Sequence, residues 1–297
     1  MKDFNVFEPM LLSEKKMPFN SKDFLYEMKF DGLRALIFVS PDAITIYNRH
    51  KRDITYLFPE LYKLQKIVDK PTIFDGEIVR FLGGVPNFLE LQKRIHLKEE
   101  QKILRASKLQ PVVFVCFDIV YYGVDISEYS LINRKEILNQ FPDTDEFVKI
   151  LYVFEKGVSF FQEIKSLSLE GMVAKKIDSI YEKNIRSNNW IKIKNIQVDS
   201  FFIGGYRFGK STSMFSVILG EYVDKSFVFV GKVSVLQKSG LLDVLKKEKK
   251  LKNPVFSNFC ETDTFYVKPR YLCDVEFLER SSNGILRHAV YRGYADS

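Results

Sequence analysis

The chain has 297 residues, enough for two compact domains, and its 46% apolar and 14% aromatic content can build real cores. Its formal charge of +7 is spread along the chain, which suits a folded basic surface that either binds a polyanion or is simply solvated. No uncharged apolar run is long enough to span a bilayer, no signal-peptide core opens the sequence, and the three cysteines lack metal or disulfide spacing, so the composition points to a cytoplasmic, zinc-free protein.

Phe and Tyr are abundant (27 and 15), which favours sheets over helical bundles. The opening two dozen residues are irregular around Pro9 and Pro18. Residues 24–28 read as a strand, followed by a hairpin of 35–39 and 43–47 around Ser40, Pro41 and Asp42. Residues 58–68 have helical spacing with Pro59 in the first turn, and 72–81 is a strand that stops at Gly83 and Gly84. A helix starts at Asn87 with Phe88, Leu91 and Ile95 on one face. The β-branched run 111–122 reads as a buried central strand, 133–139 as a helix, 148–153 as a strand and 159–167 as a helix. Two short strands, 171–175 and 190–194, close this part.

Beyond residue 194 the pattern changes to closely spaced strands, at 200–206, 215–222, 226–233, 264–267 and 271–278, with a lysine-rich helix at 241–251. Such a run fits a small Greek-key barrel of the OB type. The boundary falls near 195–199, giving expected domains of 1–196 and 197–297.

Chemistry concentrates in a few phrases. Lys29-Phe30-Asp31-Gly32-Leu33-Arg34 is a K-x-D-G-x-R hexapeptide at the end of a strand. Then come Asn48-Arg49, Asp75-Gly76-Glu77, Phe117-Asp118, Glu170 to Lys175, and Trp190-Ile191-Lys192-Ile193-Lys194. Taken singly, each has an ordinary explanation as a turn, a capped core strand or a wet strand face. Together they supply what nucleotidyl transfer to a lysine requires: an amine, cations for phosphate, a carboxylate for metal, an aromatic shelf and acceptors for base and ribose. A lysine amine must lose its proton before it attacks, at about 4 kcal/mol at neutral pH, and nearby cations lower that cost. Lys192 and Lys194 are two apart on a strand, so their amines point the same way.

With these phrases the chain resembles the ATP-dependent DNA ligases, most nearly the ligase domain of the bacterial end-joining ligase D. The likeness runs from Tyr26 to about Asp296 and includes Arg52-Asp53-Ile54-Thr55, Ile203-Gly204-Gly205-Tyr206 and Leu286-Arg287-His288. It implies an α+β fold: a covalent nucleotidyltransferase domain, ATP-grasp-like with two antiparallel-rich sheets and flanking helices, followed by an OB-fold β-barrel domain. It implies that Lys29 becomes AMP-lysine, Glu27 accepts from the adenine amino group, and Phe117 and Val173 enclose the base. Glu77 would hold the ribose, and Arg34 and Arg49 would contact nucleotide and nick phosphates. Glu170 would bind the metal, Lys192 and Lys194 the phosphates, and Asp31 would order the turn and a metal-bound water.

The implied cofactors are ATP and Mg²⁺, with Mn²⁺ as the alternative. The implied partners are nicked duplex DNA and a Ku-like end-binding protein, the enzyme itself being a monomer with no membrane contact. Only 28 residues precede Lys29, too few for the nicotinamide-binding domain of NAD-dependent ligases. The C-terminal phrase departs from the family: Ala289 stands where a proline is expected, and the final arginine and Asp-Lys pair have no clear counterpart. Slow self-adenylylation, or substitution by Arg287 or Arg292, is the expected result. An RNA ligase, a capping guanylyltransferase and a decayed OB-fold nucleic-acid binder are the competing readings. Glu27 favours adenine, because guanine carries no amino group at that ring position.

Overall fold

The computed structural model describes residues 6–209, 213–281 and 283–296. The chain divides into two compact units, Met1–Lys194 and Asn195–Ser297.

The first unit is built on two five-stranded sheets. Its strands in chain order are β1 (Leu11–Glu14), β2 (Phe24–Met28), β3 (Leu33–Ser40), β4 (Ala43–Asn48), β5 (Thr72–Val79), the short hairpin β6 (Phe81–Leu82) and β7 (Val85–Pro86), β8 (Val113–Tyr122), β9 (Phe147–Lys149), β10 (Tyr152–Phe154), β11 (Gly171–Lys176) and β12 (Arg186–Lys194). Helices α1 (Phe88–Ile95), α2 (Glu100–Leu109), α3 (Leu131–Leu138) and α4 (Gly157–Ser166) are inserted between them. One sheet has the order β1-β12-β11-β2-β10 and the other β4-β3-β5-β8-β9.

Strict alternation assigns the faces. On β3, Ala35, Ile37 and Val39 join the large outer core, while Leu36 and Phe38 join a second core. That second core also takes Leu25 of β2 and Trp190 of β12, so it lies between the two sheets. On the first sheet Tyr26, Met172, Ala174, Ile191 and Ile193 turn the other way and pack on Phe161 and Ile164 of α4. Each sheet is thus covered on its outer face, and the inward parity of β2, β11 and β12 carries Glu27, Val173, Lys175 and Lys192 toward the opposite sheet.

Three local readings change. Residues 148–153 are two strands rather than one: β9 runs parallel to β8 in one sheet, and β10 pairs antiparallel with β2 in the other. The expected helix at 58–68 is a tighter 3-10 helix, Pro59–Lys66, that starts on Pro59. Strand β1 and helix α2 lie where no element was expected. Strand β1 is held by parallel pairing to β12, with Leu11 opposite Arg186, so its partner lies far along the chain.

The second unit has the fold of an OB domain. Strands β13 (Gln197–Phe208), β14 (Met214–Val223), β15 (Ser226–Leu236), β17 (Tyr271–Phe277) and β20 (Val290–Asp296) form an antiparallel sheet in the order β15-β14-β13-β17-β20, with β16 (Phe265–Tyr266) added to β13. Helix α5 (Leu241–Lys247) is shorter than the expected 241–251 and covers the core through Leu241, Leu242 and Leu245. A two-residue ladder joins β18 (Glu279–Arg280) to β19 (Leu286–Arg287).

Candidate active site

The inner faces of the two sheets in the first unit enclose a cavity of about 260 Å³. Strand β2 and the turn after it bring Glu27 and Lys29 to its wall, and β11 and β12 add Val173 and Lys192. From the other sheet come Arg34, Glu77 and Phe117, with the exposed Arg49 at the margin. These eight of the sequence-derived residues therefore converge from two sheets on one cleft, whereas Asp31, Glu170, Lys194, Arg287 and Arg292 are not in its wall.

Lys29 is anchored by its own backbone, whose N–H donates to the Gly171 carbonyl at 2.9 Å. Gly171 has φ +150, a conformation that side chains rarely adopt, and a Cβ there would run into the Ile193 carbonyl. This close approach sets Glu170 beside Lys29: Lys29 Nζ donates to Glu170 Oε1 at 2.6 Å. Burial pushes the Glu170 carboxyl up, with the like charge of Asp31 adding and Lys29 opposing. Glu170 Oε2 is buried without a hydrogen-bond partner.

Glu77 faces the same cleft. Burial raises its pKa to about 8, against the pull of Lys29 and Arg34, which favours its protonated form near neutral pH. Arg34 is committed largely to structure, since Nε and Nη2 pair with both oxygens of Asp75 at 3.0 and 2.7 Å. Burial opposes its charge, but Asp75 outweighs that and holds its pKa above the ordinary value. Its guanidinium carbon lies 5.2 Å from the Phe117 ring centre, so it supports that ring. Tyr181 completes the group by donating to Asp75 Oδ2 at 2.6 Å.

Glu27, expected to accept from the adenine amino group, lines the cleft; it is 1% exposed and paired with two lysines, Lys135 from α3 and Lys175 at 2.7 Å. Lys175 also sits over Phe117 and Trp190, 4.2 and 4.0 Å from the ring centres. Burial lowers its pKa to about 8, Lys135 adding to the shift and Glu27 opposing it. The strand signal for Lys175 was present, because it lies two residues from Val173 on β11 and shares its face. Lys135 had no such signal, for only the fold connects α3 to β2.

Lys192 and Lys194 project together from β12 as expected, and both reach the carboxylate of Glu14 on β1. Arg287 and Arg292 belong to the second unit and pair there with Glu279 and Glu276.

The donor set fits a hard divalent cation such as Mg²⁺ in one respect: the unpartnered Glu170 oxygen is an available ligand. No cluster of three or more His, Cys, Asp or Glu able to hold a metal occurs among the described residues. The remaining ligands would therefore be phosphate oxygens and water, which Mg²⁺ commonly keeps. Trp190 Nε1, also in the cavity wall, is a second buried polar atom without a partner. The cleft thus joins the amines of Lys29, Lys175 and Lys192, the carboxyls of Glu27 and Glu77 and an aromatic wall of Phe117 and Trp190.

Residues 9–194 match the family described as ATP dependent DNA ligase domain, and residues 210–296 match the ATP dependent DNA ligase C terminal region. The SPbeta prophage-derived DNA ligase-like protein LigB of Bacillus subtilis is 35% identical over 67% of this chain and 71% of its own length. The multifunctional non-homologous end joining protein LigD of Mycolicibacterium smegmatis is 28% identical over 97% of this chain, which spans only 38% of that relative. The ligase domain of LigD from M. tuberculosis has the same fold, with TM-score 0.58 at 23% identity, over 97% of this chain and 95% of that one. No helix among the described residues is long and apolar enough to cross a membrane.

Proposed function

The chain belongs to the ATP-dependent DNA ligase family, and from that membership we propose that it seals nicks in duplex DNA through a lysyl-AMP intermediate on Lys29. The observation that carries the reading is the convergence of Lys29, Glu77 and Lys192 on one cleft from two sheets, with Glu170 hydrogen-bonded to Lys29.

The chemistry is three in-line displacements at phosphorus. Lys29 Nζ attacks the α-phosphorus of ATP and expels pyrophosphate. The 5′-phosphate of the nick then takes AMP from Lys29. Finally the 3′-hydroxyl attacks the activated 5′-phosphate and expels AMP.

Attack needs a neutral amine, and Glu170 Oε1 is in place at 2.6 Å to accept the proton. Its raised pKa makes it a readier acceptor than an ordinary carboxylate. The amines of Lys192 and Lys194 hold phosphate and offset the charge that gathers in each transition state. A bound Mg²⁺ would supply further neutralisation of phosphate charge, held from the protein side by Glu170.

The base lies between Phe117 on one sheet and Val173 on the other. Glu27 and Lys175 present an acceptor and a donor side by side, the complement of an adenine amino group and its neighbouring ring nitrogen. Protonated Glu77 can donate to, as well as accept from, the ribose hydroxyls. Arg49 and Asp31 are assigned to the nick phosphate and to a metal-bound water. Either Arg287 or Arg292 substitutes for the family's usual terminal residues in loading from ATP, or that loading is slow.

Incubation with labelled ATP and Mg²⁺ tests the proposal. An AMP-sized mass increment on the native chain that is absent from Lys29→Ala supports it, and an unlabelled native chain rejects it. Sealing of a nicked duplex with a DNA or an RNA 3′-strand then fixes the substrate. We assign a Ku-like end-binding protein as partner for double-strand breaks; equal end sealing with and without it would count against that assignment.

A further inference from the structure

Glu14 is the last residue of β1, opposite Lys192 in the parallel ladder to β12. The Lys15 N–H donates to the Lys192 carbonyl at 3.0 Å, so the two backbones are locked in register at this point. The Glu14 carboxylate bridges both lysines of β12: Oε2 is 3.1 Å from Lys192 Nζ and Oε1 is 3.4 Å from Lys194 Nζ. These are the amines assigned to phosphate.

A carboxylate between two ammonium groups has the charge and spacing of a pair of phosphate oxygens. Its side chain is 45% exposed, against 22% and 29% for the two lysines, so it can rotate into solvent without exposing core. Leu11 and Leu12 of β1 do line the cavity. One short strand therefore supplies both a wall of the cleft and an anion at its cationic end.

We propose that Glu14 is an internal competitor for the phosphate seat. It holds Lys192 and Lys194 in extended, converging poses while the seat is empty, and it must leave them when nucleotide phosphates arrive. Two consequences follow from charge alone. Nucleotide binding is weakened, because the phosphates displace an ion pair and meet a nearby negative charge. Departure of AMP after sealing is favoured, because the lysines have a partner to return to. Glu14 acts through the lysines and touches no reacting atom, so it is a positioning residue. Its position on a partly exposed strand end limits the effect to a modest factor.

The inference rests on Lys192 and Lys194 binding phosphate. The test is the single-turnover rate of lysine-adduct formation by Glu14→Gln across a range of ATP concentrations at fixed Mg²⁺, KM here being the half-saturating ATP concentration. Gln keeps the shape and removes the charge. The expected result is a KM for ATP lowered about fivefold, with the rate at saturation changed less than about twofold. Glu163→Gln on the exposed face of α4 serves as the control for net charge. An unchanged or raised KM in Glu14→Gln would overturn the proposal, and so would an equal drop in Glu163→Gln. If the native chain forms no adduct at all, it is the ligase reading that fails; a native adduct with no Glu14 effect removes this inference alone.

Discussion

Gly32 passes so close to Glu77 that a methyl group on its α-carbon would lie 2.6 Å from Glu77 Cγ and 2.5 Å from the Ile78 carbonyl oxygen. The glycine of the hexapeptide is therefore demanded by packing against β5, at the point where Glu77 enters the cleft. Gly32→Ala should push the start of β3 away from β5 and move Glu77 with it. The expected outcome is a stability loss of about 1–3 kcal/mol by denaturant titration, and adduct formation slowed by at least about tenfold. An Ala variant with native kinetics would show that Glu77 placement is unimportant for loading.

Glu170 turns one oxygen toward Lys29 and leaves the other without a partner, and each is proposed to have its own role. Glu170→Gln keeps the volume but neither accepts the proton nor ligates a cation strongly. Adduct formation should fall about 10²–10³-fold, and the Mg²⁺ concentration needed for half-maximal rate should rise. A lower rate with an unchanged Mg²⁺ requirement would separate the two roles and remove the metal assignment.

Lys175 gives a pH signature. Its folded value of about 8 lies below the ordinary 10.5, so between those values the unfolded chain binds a proton that the folded chain does not. Its contribution to stability is therefore least favourable below about 8 and improves as pH rises toward 10.5. The stability difference, native minus Lys175→Met, should rise across that window in urea titrations. A flat difference would contradict the buried, partly neutral amine.

Glu77 has the opposite sign. Its pKa is raised from 4.5 to about 8, so its favourable contribution is complete below about 4.5 and is lost as pH climbs through 8. Native minus Glu77→Gln stability should fall over that range, as measured in the same titrations. An increase would mean that Glu77 is held as a carboxylate.

Arg134 and Asp118 form a doubly hydrogen-bonded pair at 2.8 and 2.9 Å, both side chains fully buried. Burial opposes the Asp118 charge, but Arg134 outweighs it and keeps the carboxyl below its usual range. Arg134→Met removes the direct partner of that buried charge and should cost about 3–5 kcal/mol. Lys93→Met, which breaks an exposed pair with Glu90, should leave the unfolding midpoint unchanged. Similar losses in the two variants would mean that burial does not govern these pairs.

How much of this was legible beforehand follows from how far apart the partners lie. Lys29, Asp31, Gly32 and Arg34 form a local phrase, and Lys192 and Lys194 announce a shared face by their spacing. Strand alternation then places Val173 and Glu27 without further help. Strand β1 escaped because Leu11–Glu14 is short and pairs in parallel with β12, so no hairpin marks it. With it went Glu14. Lys135 escaped because its partner Glu27 lies 108 residues away, and only packing of α3 joins them. The break within 148–153 was hidden because both halves have strand-like composition; which sheet each joins is decided by distant edges.

That break sits at Ile150 and Leu151, the two residues between β9 and β10. Ile150 hydrogen-bonds back to Cys116 of β8 at 2.9 Å, and its side chain lines the cleft. The chain crosses from one sheet to the other there, beside the seat proposed for the nucleotide. An occupant of the cleft is then a keystone, gripping both sheets where two covalent threads, this one and residues 29–32, already tie them. Neither sheet can peel away without ejecting it, so loading with AMP should lengthen the lifetime of the whole unit against heat and proteases, well beyond the residues in contact.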